Sequence, residues 1–378
     1  METWRLRAPG GGACYVLEDG EGRGVLLATV GGLRAALVRR MTGAAEGGPS
    51  KRVDYRAVVR RVRWRAVYSP FEANWAYLEN VRAMFPDTYQ RLIRRWRCHW
   101  VGVDRDAAHP RFKASDDPGK ESGRVFGPIR EGKAARQLVE RLEDLFDLCR
   151  YHDVLVQSPA GTACAYKEMG KCAAPCDGSI GMDVYRNQVD AAIGFLAGPR
   201  EGWVAEVEAR MAAAAASLAF EEAQRFKSML ERAGAMDGPG LAHVAALERF
   251  KFLCLQRGQR KGRPRAFVIT PGRIRFLGEM LVKQMDQQID WLLGQVGRIA
   301  GEALPRLDRA ACERMALVSW HLFRGEREAG EFLRIDDGLD VEMVAAAVAR
   351  INEKPTDEGA GQDASANAMS SEEDAGAG

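Results

Sequence analysis

The chain has 378 residues, 46% of them apolar and 28% charged, with eight cysteines and a net charge of +3. That length allows two or three domains with cores of their own, and the composition is ordinary for a water-soluble protein. No apolar run approaches the roughly 18 residues that cross a bilayer, and METWRLRAPGGG has no apolar leader region. The expectation is a cytoplasmic protein without membrane contact, in a compartment where disulfides rarely persist.

In chain order, ACYVLED (13–19) and GVLLATV (24–30) read as strands joined by a Gly-rich turn, with a helix at about 32–41. VDYRAVVRRVRWRAVYS turns from helical to strand-like periodicity, and 71–84 reads as a helix stopped by Pro86. Residues 98–130 read as an irregular Gly/Pro/Asp-rich stretch. An amphipathic helix follows at 132–148, with Leu138, Leu142, Leu145 and Phe146 on one face. A loop-like cysteine segment leads to helices at 183–196, 203–217 and 219–233. RAFVIT and RIRFLGEM form a strand hairpin around Pro271–Gly272, and helices at 280–300, 309–322 and 340–352 complete a small unit. The fold class expected is α+β, with divisions at 1–100, 101–200, 201–236, 240–352 and 353–378. The last segment carries seven acids against one lysine, leaving about +9 on the rest, and buries too little apolar surface to fold.

Arginines crowd the first hundred residues, interleaved with Tyr55, Trp64, Trp96 and Trp100. Arg56, Arg60, Arg61, Arg63, Arg65, Arg94 and Arg95 are the candidate DNA-binding set, since arginine with aromatics suits phosphate contact and base stacking. The bland alternative is a solvated basic face. Cys149, Cys164, Cys172 and Cys176 follow C-x14-C-x7-C-x3-C, with Gly170 and Pro175 bending the backbone between them. Four thiolates in a reducing compartment suit Zn²⁺ or an iron–sulfur cluster, and spacing alone leaves the metal open.

FGPIREGKAARQLVERLEDLFDLC, CAYKEMGKCAAPCDG and YRNQVDAAIGFLAG resemble the middle of UvrC proteins. That resemblance implies a [4Fe–4S] cluster held by Cys149, Cys164, Cys172 and Cys176, with zinc as the alternative. LAFEEAQRFKSMLERA resembles the second helix of the UVR motif at Leu218, Phe220, Glu221, Glu222, Ala223, Arg225, Phe226 and Leu230. The implied partner is the matching hairpin of UvrB; the alternative is an internal helical pair. Residues 1–100 resemble a GIY-YIG nuclease domain whose chemistry has been replaced. Tyr15 keeps the first tyrosine, while Leu26, Ala36, Tyr77 and Gln90 stand where the family has its second tyrosine, arginine, metal-binding glutamate and asparagine. A metal-dependent phosphodiesterase without its carboxylate has nothing to position the ion. A shifted register would instead use Glu72 or Glu79 with Arg34 or Arg39. Beyond the hairpin no RNase H-like acidic set or helix–hairpin–helix motif is legible.

The reading that results is a DNA-binding, UvrB-docking, UvrC-like protein of nucleotide excision repair that lacks incision activity. Its rivals are an active endonuclease with a rearranged site, and a metal- or redox-sensing regulator outside repair.

Overall fold

The computed structural model describes residues 7–41, 55–234, 236, 238–281, 285–325 and 330–353. Lys51, Arg52 and the acidic segment from 354 onward lie outside the described residues. The architecture is mixed α/β with three antiparallel sheets. Among the described residues no helix is long and apolar enough to cross a membrane.

The first sheet joins β1 (Ala13–Glu18), β2 (Gly24–Val30) and β3 (Arg61–Ala66) in the order β2-β1-β3. Because side chains alternate along a strand, β1 serves two cores. Tyr15 and Leu17 pack with Leu33 and Leu37 of α1 (Leu33–Met41). Cys14 and Val16 face Phe71, Leu78 and Val81 of α2 (Pro70–Met84). That helix starts where the sequence dictates: the Ser69 hydroxyl accepts the Glu72 N–H at 3.2 Å, and proline occupies the first turn.

The second sheet corrects the irregular reading of 98–130. It contains β4 (His99–Val103), β5 (Phe112–Ser115), β6 (Arg124–Ile129) and the two-residue β7 (Ala245–Ala246), in the order β5-β4-β6-β7. These strands are only 4–6 residues long, so the polar loops between them dominate the local composition. Their apolar residues Val101, Val103, Phe112, Phe126 and Ile129 are nevertheless buried. Against them lie α3 (Gly132–Leu145), which buries the expected Leu138, Leu142 and Leu145, and α4 (Met182–Ala197). Next come α5 (Arg200–Ala216) and α6 (Phe220–Gly234).

The third sheet joins β8 (Phe252–Gln256), β9 (Arg265–Thr270), β10 (Arg273–Glu279) and β11 (Gly330–Arg334) in the order β10-β9-β8-β11. The expected β9–β10 hairpin turns at Pro271–Gly272, where Gly272 has φ 72°, a backbone that favours glycine. Helices α7 (Met285–Ala300), α8 (Arg309–Leu322) and α9 (Val341–Glu353) accompany it. The first and third sheets share one core. Phe71 meets Phe267, His321 and Phe332 edge-on at centroid distances of 5.5, 5.3 and 5.7 Å. Such edge-to-face pairs add about 0.5–1.5 kcal/mol each beyond area burial.

Candidate cysteine centre, basic face and helical hairpin

The cysteine loop is ordered from its flanks. Arg150 lies over the Tyr166 ring at 4.2 Å, donates to the Lys171 carbonyl at 3.0 Å and pairs with Asp144. The Ser158 hydroxyl donates to the Pro175 carbonyl at 2.6 Å, and Lys167 reaches Asp177 at 2.6 Å. Ala174 holds φ 54°, a conformation costing a non-glycine residue about 1–2 kcal/mol. In that conformation its N–H donates to Cys172 Sγ at 3.4 Å. Cys149, Cys172 and Cys176 are buried, and Cys164 is half-buried at the start of the turn 165–168.

Cys149 and Cys172 share a hydrogen bond, and both feel Cys176 or act on it. That bond, then burial, pushes the Cys149 thiol up. The same bond holds Cys172 below the ordinary thiol value despite burial, helped by the Ala174 N–H and the charge of Arg150. Cys149, Cys172 and Cys176 thus feel one another's charge, but the structure does not place them, with or without Cys164, as a set of ligands. Among the described residues no three His, Cys, Asp or Glu side chains form a group able to hold one ion. The donor chemistry fits a thiolate-bound metal; the arrangement of the four sulfurs does not assemble its site.

On the first sheet, the positions expected from the nuclease resemblance do not converge. Tyr15 is fully buried in the cluster that includes Leu26, and its hydroxyl has no hydrogen-bond partner among the described residues. Burial raises its pKa, against the lowering effect of Arg40. Ala36 is buried on α1, Gln90 is exposed, and Tyr77 packs on Trp96 at 6.2 Å on the opposite side of the sheet. The alternative carboxylates are engaged elsewhere. Glu72 accepts from the Tyr68 N–H at 2.9 Å and from Arg265 at 2.8 Å, and Glu79 takes both arms of Arg314 at 2.6 and 3.0 Å. Arg34 donates to the Ala8 carbonyl at 3.0 Å.

The basic face forms in part. Arg61, Arg63 and Arg65 project from alternate positions of β3 and are exposed, as strand geometry requires. Two of them share the buried Glu18, Arg61 at 3.8 Å and Arg63 more closely, which offsets one of their charges. Arg65 stacks over Trp75 at 5.3 Å; Arg95 stacks over Trp96 at 4.8 Å and donates to Asn74 at 3.1 Å. Arg56, Arg60 and Arg94 are exposed beside this surface, with Arg60 donating to the Val59 carbonyl at 3.2 Å.

Helices α5 and α6 pair antiparallel around a turn at Leu218, which holds φ 61°. At the base, Trp203 packs on Phe195 at 4.9 Å, and Arg232 donates to the Asp144 carbonyl at 2.9 Å. At the tip, Leu218 is 71% exposed and Phe220 66% exposed. Ala223, Phe226 and Leu230 are half-buried between the helices, while Glu221, Glu222 and Arg225 face solvent.

Residues 98–195 match the family model described as UvrC/Cho excinuclease, middle domain. This stretch, which carries β4–β6, α3, the cysteine loop and most of α4, is similar to that middle domain. Proteins named UvrABC system protein C are similar to the chain in several bacteria. The relative in Moorella thermoacetica is 33% identical over 131 residues, 35% of this chain and 21% of its own length. That in Trichlorobacter lovleyi is 31% identical over 129 residues, 34% and 21% of the two chains. That in Shewanella loihica is 30% identical over 206 residues, 50% and 34% of the two chains. The chain thus spans about a fifth to a third of the length of the curated relatives it matches. No solved structure matches it.

Proposed function

We propose that this protein is a UvrC-like, DNA-binding component of nucleotide excision repair that docks on UvrB through α5–α6 and makes no incision from its first sheet. The observation that carries the docking is the hairpin tip: Leu218 and Phe220 stand in solvent immediately downstream of a UvrC-like middle domain. An exposed apolar pair on a rigid helical arm is the kind of anchor that a second apolar hairpin covers. DNA would lie against β3 and the Trp75 and Trp96 surface, where cations and aromatic faces alternate. The absence of incision rests on Tyr77 in place of the metal carboxylate, and on Glu72 and Glu79 being held by Arg265 and Arg314. This disfavours the rearranged endonuclease.

Cys149, Cys164, Cys172 and Cys176 would hold a [4Fe–4S] cluster, or Zn²⁺ in its stead, once the loop draws the four sulfurs together. Such a centre supplies a covalent staple across a loop that otherwise depends on Arg150. The Ala174 N–H and the Arg150 charge would stabilise thiolate at Cys172. Anaerobically purified protein should contain about four irons per chain, and Cys172→Ser should lose them. Stoichiometric zinc instead would reject the cluster and keep the centre. A UvrB pull-down and an incision assay with UvrA, UvrB and Mg²⁺ on one preparation test the main reading. Capture of UvrB that fails in Leu218→Ala/Phe220→Ala, without nicking, is the expected result. Nicking lost in Glu79→Gln would restore the endonuclease.

A further inference from the structure

A cavity of about 230 Å³ opens beside β4 and β5, lined by none of the four cysteines and by no residue of β3. Basic side chains reach it from two separate stretches of chain. His109, Arg111 and Lys113 come from the residues entering β5, and His152 from the turn after the first cysteine. Arg111 and Lys113 alternate along the strand, so both extend to one side. Neither makes an ion pair or hydrogen bond among the described residues. The Nδ1 of His152 is buried with no hydrogen-bond partner. Burial, and then the charges of Arg111, His109 and Lys113, hold the His152 pKa below its ordinary value. Asp153 acts on His152 last and least, and Glu143 feels Arg111 from outside the cavity wall, so positive charge prevails around an unanswered nitrogen. The Ser122 hydroxyl is at the same mouth.

The acidic members of the wall do not fill that role. Asp104 is engaged with its own turn, accepting the Asp106 N–H at 3.2 Å. Glu121 crosses β4 at Gly102, where an added Cβ would fall 2.8 Å from the carboxylate. Glycine in a central strand commonly marks such a close approach. Glu121 therefore borders the cavity and sets its edge, with no ion pair to Arg111 or Lys113.

We propose that this cavity seats one phosphate group of a nucleic-acid backbone, held by Arg111 and Lys113 with His109, His152 and Ser122 as hydrogen-bond donors. The volume suits a single phosphate with part of its sugar. Arginine gives a planar fork and lysine a point charge, the pairing that phosphate recognition uses. The inference rests on the reading that the chain binds DNA and is independent of the hairpin's partner.

Histidine side-chain NMR on the full chain tests it, with inorganic phosphate and a short oligothymidylate as the two probes. Phosphate should shift the His109 and His152 resonances, and the oligonucleotide should shift the same two. Arg111→Gln/Lys113→Gln, both exposed positions, should weaken phosphate about tenfold or more, as lost charge-assisted bonds do. Glu121→Gln should tighten it, which a purely structural glutamate would not do. Unmoved resonances with phosphate, or unchanged affinity in the double variant, overturn the site. Phosphate shifts that the oligonucleotide neither reproduces nor competes with overturn the backbone assignment. If the chain binds no DNA at all while the phosphate shifts persist, the DNA reading fails and the cavity is left as a free-phosphate seat.

Discussion

The first sheet and the helical hairpin treat their exposed chemistry in opposite ways. Around α2 nearly every polar group has an internal answer: Glu72 has Arg265, Glu79 has Arg314, and Arg82 and Tyr89 meet Glu313 at 2.7 and 2.9 Å. At the end of α5–α6 two large apolar side chains have none. A helix face sealed by ion pairs from another part of the chain is a joint. A helical tip left apolar in water is an exposed patch of the kind that marks interaction sites. Position for position, the region that resembles an enzyme is the one committed to architecture.

The comparison can be broken most severely at Phe71, which is fully buried and touched by rings from β9, β11 and α8. Phe71→Ala should cost about 3–5 kcal/mol, the range for large-to-small changes in a packed core. Urea denaturation followed by tryptophan fluorescence would measure it. A loss under about 1 kcal/mol would mean that the two sheets do not share a core.

A smaller effect is expected at the Glu79–Arg314 pair. Burial alone would raise the Glu79 carboxyl, but the hydrogen bonds and charge of Arg314 outweigh it, and the pKa lies below its ordinary value. A lowered folded pKa contributes stability that is complete above the unfolded value of about 4.3 and is lost as pH falls through the folded one. Arg314→Met should therefore destabilise by about 1–2 kcal/mol at neutral pH, since it leaves a partly buried carboxylate without its hydrogen bonds and with only the 3.9 Å ion pair to Arg82. It should also flatten the acid limb of the stability profile. Urea midpoints at pH 7 and pH 3 for both chains check the sign; an identical acid limb would show the pair to be idle.

Least of all should happen to stability at the tip. Leu218→Ala/Phe220→Ala should change the unfolding free energy by less than about 0.5 kcal/mol, as surface changes do. A loss above about 2 kcal/mol would mean that these residues serve an internal core. Paired with the UvrB capture measurement, this separates a docking surface from a folding element.

Local signals carried much of this molecule into view. The β1–β2 hairpin, α2, α3 and the β9–β10 hairpin lie where strand alternation, helical periodicity and Pro/Gly punctuation placed them. The strands β4–β6 were hidden because each is shorter than the polar loop beside it. FLCLQ in β8 is buried at all five positions, so it has no alternation to read. The cysteine spacing marked out a set of four sulfurs but not their placement, and the half-buried position of Cys164 depends on the turn 165–168. The Glu72–Arg265 and Glu79–Arg314 pairs join residues 193 and 235 positions apart. Nothing local announces such partners, which is why α2 could be read as a damaged active site before it could be read as a joint.

The two alanines of β7 give the hairpin a mechanical character. They pair with Phe126 and Gly127, so the chain leaves the second sheet, runs out along α5, returns along α6 and is stitched back into that sheet. Phe195 against Trp203 fixes the outgoing root, and Met236, fully buried, fixes the returning one. An arm clamped at both roots behaves as a braced outrigger, unlike a ball on a string. Whatever grips its tip meets a preset direction without first reeling in slack, which spares the ordering cost of a loose tether. A load applied at Leu218 is delivered to β7, the edge strand of the second sheet, and to α4 beside it.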